Sequence, residues 1–140
     1  MCLTVPHTQK FKTAEEDLVF YKLLRPVVWD GKTVWESPIQ ATPVKIGEEM
    51  VCEGEVEKVV NRSAMEVDGT VSYSVEIGRG VFHLYRHLTD AVFVKHMTSC
   101  EIFKAIVPKG TEYIEGKHLN YGCFVNSIGA RKVIYQPLDK

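Results

Sequence analysis

This chain of 140 residues lacks several features that would assign it to a class at once. It has no apolar run near the ~20 residues needed to cross a bilayer as a helix. Its opening residues, Met1-Cys2-Leu3-Thr4-Val5, do not follow the basic-then-apolar order of a secretory signal. Net charge is small: 17 basic side chains against 18 acidic ones leave −1, so no overall basic field draws in nucleic acid or anionic lipid. The 4 cysteines, Cys2, Cys52, Cys100 and Cys123, contain no C-x-x-C pair, which excludes the common zinc and thioredoxin spacings. No internal period or low-complexity tract occurs. The expectation is a cytoplasmic protein with free thiols, three of them among apolar neighbours, and with no resident cofactor or metal.

What is present is ordinary for a globular domain: 45% hydrophobic and 25% charged residues. The length suits one domain over residues 1–140, with 1–13 as an irregular N-terminal arm around Pro6. The clearest order of elements lies between Gly78 and Gly116. Gly78-Arg79-Gly80 leads into the apolar run Val81-Phe82-His83-Leu84-Tyr85, which predicts a strand. Thr89 as N-cap, Asp90 at the positive end of the helix dipole and Leu88 stapled onto Phe93 predict a helix from Thr89 to about Met97. A second strand, Glu101 to Val107, ends at Pro108-Lys109-Gly110.

Around this unit the sequence predicts sheet. Thr13-Ala14-Glu15-Glu16 has capping-box form, but the aromatic and β-branched run that follows favours a strand from about Asp17 to Leu24. Asp30-Gly31 between Val27-Val28-Trp29 and Lys32-Thr33-Val34-Trp35 is a strong type I′ hairpin signal. Trp29 and Trp35 then either lie close across the pair or cover one end of the core. Pro43 to Ile46 and Met50 to Val60 read as extended, and their acids, Glu48, Glu49, Glu53, Glu55 and Glu57, as a solvated face. Asp68-Gly69 marks a second hairpin whose returning strand, Thr70 to Ile77, alternates with period two. Tyr113-Ile114 makes a brief strand ended by Gly116. Tyr121 to Ile128 and Arg131 to Tyr135, separated by Gly129, make a last strand pair. The fold expected is α+β: a mainly antiparallel sheet of about seven strands with one main helix.

The residues Met1-Cys2-Leu3, Ala14-Glu15-Glu16-Asp17, Tyr21-Lys22, Ser37-Pro38, His83, Ala91 and Ile106-Val107-Pro108-Lys109-Gly110-Thr111 form a pattern over most of the chain. It resembles a group of small uncharacterised proteins of gut Bacteroidales and their phages, which open Met-Cys-Leu and carry a Gly-Phe-His segment before a helix. Val81 stands here where those proteins have glycine. The resemblance implies a shared fold and a phage or mobile-element setting, and it brings no activity with it. Phe20-Tyr21-Lys22, the mid-chain strand and helix, and the Pro-Lys-Gly-Thr turn also resemble the ADP-ribosyltransferase-like fold. That similarity implies an NAD-like or nucleotide pocket. It does not imply group transfer, because Gly129-Ala130-Arg131-Lys132-Val133 has no carboxylate where such toxins carry Glu-x-Glu.

Candidate chemistry is sparse. If Met1 were removed, Cys2 would carry a thiol and an α-amine on one residue, as N-terminal nucleophile hydrolases require. His83 and His87 are four apart, as are His96 and Cys100, but Leu84 replaces the Glu of H-E-x-x-H and no further ligands stand nearby. Lys104, Lys109, Lys117, Arg131 and Lys132, interleaved with Tyr113 and Tyr121, suggest a basic stripe, yet no RNP-type signature accompanies it and nucleic acid is not the expected partner. A ligand pocket is expected around Tyr21, Arg25, His83 and Tyr85, where the first long strand and the strand before the helix should be neighbours, with Arg79 and Arg86 as donors for a phosphate. The preferred function is a non-catalytic binding module for a nucleotide-like small molecule or a host protein. The alternative is a small enzyme acting on a nucleotide or acyl substrate through Cys2 or His83. Binding is preferred because no nucleophile, base and orienting acid assemble from motifs.

Overall fold

A computed structural model describes residues 3–38, 43–62, 73–120 and 123–138. These form thirteen strands and one helix. In chain order they are β1 (Leu3–Pro6), β2 (Lys12–Thr13), β3 (Leu18–Trp29), β4 (Lys32–Glu36), β5 (Pro43–Val44), β6 (Glu49–Val51), β7 (Lys58–Arg62), β8 (Tyr73–Ile77), β9 (Phe82–Tyr85), α1 (Leu88–Lys95), β10 (Glu101–Val107), β11 (Glu112–Asn120), β12 (Cys123–Ala130) and β13 (Lys132–Pro137). The main path of the sheet runs β6-β13-β10-β3-β9-β12-β11-β1-β8-β7, with β2 on β11 and the β4–β5 pair on β3. All strand pairs are antiparallel. The α+β class with one helix therefore holds, with about thirteen strands rather than seven. Part of the excess comes from β1 and from β2, which is two residues long and too short to show a period.

The two ends of this path, β6 and β7, are consecutive in sequence. Residues 52–57 join them and bond to both ends of the sheet: Cys52 N–H donates to the Arg131 carbonyl and Glu57 N–H to that of Arg79. The Arg131 guanidinium donates to the carbonyls of Gly80 and Gly54. One arginine thus satisfies acceptors on two loops that no ladder pairs. One core lies on one face of the sheet and includes Leu24, Leu84, Phe103, Ala105, Val107, Ile128, Val133 and Tyr135. On the opposite face α1 covers Leu23, Tyr85, Ile102 and Val125, and beside it β1 and β8 pack Leu3, Val5 and Ile77 on Val81 and Ile114.

Several expectations need correction. Residues 1–13 are not an irregular arm, because Leu3 and Val5 are buried and β1 pairs in register with β8 (Leu3↔Ile77, Val5↔Val75). No helical turn precedes β3; residues 15 and 16 form a bend. The helix begins at Leu88, not at a Thr89 cap: the extended His87 is the N-cap, makes no side-chain cap bond, and its carbonyl accepts from Asp90 and Ala91. Leu88 and Phe93 are both exposed. At the Asp30-Gly31 hairpin both residues have positive φ, 51° and 74°, as a type I′ turn demands. Yet Trp29 faces Lys32 and Trp35 faces Pro26, so the two indoles lie three rungs apart. Trp35 packs edge-on to Phe103 at 4.8 Å, while Trp29 stays 75% exposed. Pro26 is tolerated because β10 pairs β3 only as far as Leu24, leaving β4 as the single neighbour there. The Asp68-Gly69 turn and its incoming segment Met65-Glu66-Val67 lie outside the described residues; of the returning strand, β8 is described, and it pairs with β7 as far as Arg62↔Tyr73.

Neither Gly116 nor Gly129 ends a strand. β11 and β12 run straight through them, and β12 pairs with β11 and β9 rather than with β13. Glycine is needed for close approach: a Cβ on Gly116 would stand 2.6 Å from Val5 Cγ1 and 2.7 Å from the Thr4 carbonyl oxygen, and one on Gly129 3.0 Å from Val81 Cγ2. A backbone atom cannot swing aside as a side-chain methyl can. Gly116→Ala should therefore destabilise by about 1–3 kcal/mol, and Gly129→Ala by less, in urea denaturation at neutral pH. Equal losses would contradict this account of β1.

Candidate functional site

Three adjacent strands, β9, β12 and β11, place polar side chains on both faces of the sheet. Their register sets Tyr85 opposite Ser127, Ser127 opposite Gly116, and Val125 opposite His118. Period two then sorts the residues. Tyr85, Val125, Ser127 and His118 lie on the face that carries α1 and are buried, whereas Arg86, Phe124, Asn126 and Lys117 point the other way and are exposed.

The covered face holds a polar cluster. His118 Nδ1 is hydrogen-bonded to Ser127 Oγ, which also donates to the Val125 carbonyl at 3.3 Å, and the Tyr85 ring stands edge-on to the imidazole at 5.2 Å. His83 Nε2 donates to the Gly78 carbonyl at 2.7 Å; a carbonyl can only accept, so the proton sits on Nε2. From the opposite face, where it lies beside Phe103 and Leu24, Lys22 donates Nζ to the His83 backbone carbonyl at 2.9 Å. Burial dominates the protonation of all three. It pushes the Lys22 ammonium down to about 8, partly offset by Cys100. It lowers His118 to about 4, with electrostatic contributions from His83 and the Lys22 ammonium in the same direction, and it lowers His83 as well. The imidazoles are neutral at neutral pH. Ser127 and His118, a hydroxyl–imidazole pair, are 1% and 5% exposed, so no substrate reaches them from solvent in this arrangement.

The expected pocket residues are partly brought together. Tyr21 pairs with Tyr85 across β3 and β9, as the neighbouring of those strands required, and His83 lies two residues from Tyr85 on the same strand. Arg25 is four residues further along β3, with Nη2 and Nε at 2.6 and 3.0 Å from Glu36 Oε1. Cys2 lies outside the described residues. Among the described residues no three His, Cys, Asp or Glu converge to hold a metal. Cys52 and Cys100 are free thiols. The basic stripe disperses: Arg131 clamps loop carbonyls, Lys132 lies 3.8 Å from Glu49, and Lys109 sits in a turn.

The accessible feature is a cleft of about 630 Å³ over the open face, and Tyr21, Arg25, His83 and Tyr85 do not line it. Its charged side chains are Arg86, Lys117 and Glu115, with Phe124, Tyr73 and Asn126 beside them. Phe124 is 66% exposed in mid-cleft. Glu115 divides its carboxylate, Oε1 lying 3.5 Å from Arg86 Nη1 and Oε2 3.2 Å from Lys12 Nζ. Lys117 makes no ion pair among the described residues. The sequence shows neither His118, because the strand was expected to end at Gly116, nor Ser127, Phe124 and Asn126, which lie in the expected strand Tyr121 to Ile128 but carry no motif. Continuing that strand by two residues would have put Lys117 and His118 on opposite faces.

No family model, no curated protein and no solved structure matches this chain. Among the described residues no helix is long and apolar enough to cross a membrane.

Two measurements test the covered cluster. Lys22→Met removes an ammonium that is only 7% exposed while keeping most of its volume, so it should raise the thermal midpoint at pH 7, whereas Lys22→Ala should fall below Lys22→Met. Depressed imidazoles also set a pH dependence. Above 6.5 His118 is neutral folded and unfolded; as pH falls from 6.5 towards 4 the unfolded chain takes up a proton that the folded chain refuses. Stability should drop by on the order of 2–3 kcal/mol across that window, and His118→Gln should flatten the curve in urea titrations. An unchanged slope in the variant would remove His118 as its source.

Proposed function

We propose that this chain is a non-catalytic binding module for a nucleotide-like small molecule, with the open cleft over β9, β12 and β11 as its seat. The observation that carries the reading is Phe124, a large aromatic ring left mostly in water on an interior strand, inside a cleft that also presents Arg86 and Lys117. Packing does not account for that exposure. A base stacked on such a ring gains ~1–3 kcal/mol. A guanidinium offers paired donors to phosphate oxygens, and Asn126 offers both a donor and an acceptor. The volume falls within the usual range for small-ligand sites. The resemblance to the ADP-ribosyltransferase-like fold, with its NAD-like pocket, and the phage or mobile-element setting agree with a nucleotide ligand.

Binding is favoured over catalysis because the residues lining the cleft include no histidine or cysteine, while His83 and the His118–Ser127 pair lie on the covered face. A second reading, a host-protein partner, is supported by the outer surface of α1. There Leu88, Val92, Phe93 and Met97 are each more than a third exposed, so the helix is apolar on the side away from the sheet as well.

Isothermal titration with ADP-ribose, NAD and adenosine nucleotides should find at least one ligand. Phe124→Ala should weaken it about tenfold or more, and His83→Ala should leave it unchanged. Absence of binding across the series, or indifference to Phe124→Ala, would discard the cleft. Mass-spectrometric conversion of a bound nucleotide would favour the enzyme alternative through Cys2 or His83.

A further inference from the structure

We infer that Arg86 and Lys117 together select a ligand ending in a phosphomonoester dianion, as a nucleoside monophosphate does, and that Glu115 is the resident counter-ion which such a ligand displaces from Arg86. This rests on the cleft being the nucleotide site. The charged side chains lining it are Arg86, Lys117 and Glu115, and Lys12 reaches Glu115 from the neighbouring β2.

The geometry of Glu115 sets its role. Its Oε1 lies 3.5 Å from Arg86 Nη1, longer than the ~2.7–2.9 Å of a charge-assisted hydrogen bond. Oε2 is held better, at 3.2 Å from Lys12 Nζ, where it also makes a hydrogen bond. The carboxylate therefore rests against Arg86 without engaging it fully. A phosphate oxygen can take its place on the guanidinium while Oε2 stays on Lys12. Neither Arg86 nor Glu115 is buried, so the displaced contact is weak.

Charge then selects the ligand. The carboxylate remains close after displacement and repels whatever replaces it. A phosphodiester brings one negative charge, so it substitutes one anion for another on Arg86 and gains little beyond Lys117. A phosphomonoester brings nearly two at neutral pH. It compensates Arg86 and Lys117 together, and the excess outweighs the repulsion. A neutral nucleoside has only the stacking on Phe124. The ranking is monophosphate first, with cyclic or internal phosphodiesters and the uncharged nucleoside well behind. The interior of a nucleic acid strand falls in the disfavoured class.

The test uses the full chain and three probes at pH 7.5 in low salt: adenosine 5′-monophosphate, adenosine 3′,5′-cyclic monophosphate and adenosine. Wild type should bind the monophosphate about tenfold more tightly than the cyclic diester. Glu115→Gln should strengthen the monophosphate about threefold, strengthen the diester by no more than that, and leave adenosine unchanged. Lys117→Gln should weaken the monophosphate about tenfold without affecting adenosine. Equal affinities for monophosphate and diester in wild type would overturn the inference while leaving the cleft in place. So would a Glu115→Gln variant that alters adenosine as much as the monophosphate, because its effect would then be on shape and not on charge. Failure of all three probes to bind wild type would reject the cleft as a nucleotide site, and the role of Glu115 with it.

Discussion

The arrangement depends on how closely β1 can approach β11. That approach exists because position 116 carries a hydrogen in place of a side chain, with the Thr4 carbonyl and the Val5 methyl where a Cβ would be. Once β1 is seated, Leu3 and Val5 seal one end of the covered face beside Ile77 and Ile114. The helix seals the other end. The polar cluster of His83, His118 and Ser127 lies on this covered face and is kept from solvent. Thr4 and Pro6, facing the other way, become part of the cleft wall. A single missing methyl group thus decides which side of β11 is interior and which is available to a ligand.

The two faces have different electrostatic characters. On the covered face, desolvation holds the imidazoles neutral, so they act as dipoles rather than charges. On the open face the interactions of Arg86, Lys117 and Glu115 are screened by solvent and exchangeable. Residues adjacent in sequence, such as Tyr85 and Arg86 or Lys117 and His118, belong to these opposite environments.

Much of the architecture was legible in the sequence where local signals were strong. Asp30-Gly31 specified its turn, the alternation before Ile77 specified a half-buried strand, and the pairing of Tyr21 with Tyr85 followed from treating their strands as central neighbours. Glycine was misread where its purpose was tertiary: Gly116 and Gly129 looked like strand ends because nothing local distinguishes a terminating glycine from one that admits a crossing strand. β1 was illegible for a related reason, since four residues around a proline show no period and its partners lie far away in the chain. The site suffered from both. Attention to histidine and tyrosine selected the strands that carry the cluster but their buried side. Phe124 and Asn126 lie beyond Gly116 in the fold and attracted no notice as isolated residue types.

The placement of β1 has a consequence for how the protein is made. Thr4 pairs with Lys117, synthesised roughly 110 residues later. At ~5–20 residues per second that delay is about 6–20 s. Through it a short apolar segment has no sheet to join on that side, and even its other neighbour, β8, is some 70 residues away. The nascent chain carries β1 unpaired on that side through that interval, and β12 and β13 must still follow β11 before the sheet is complete.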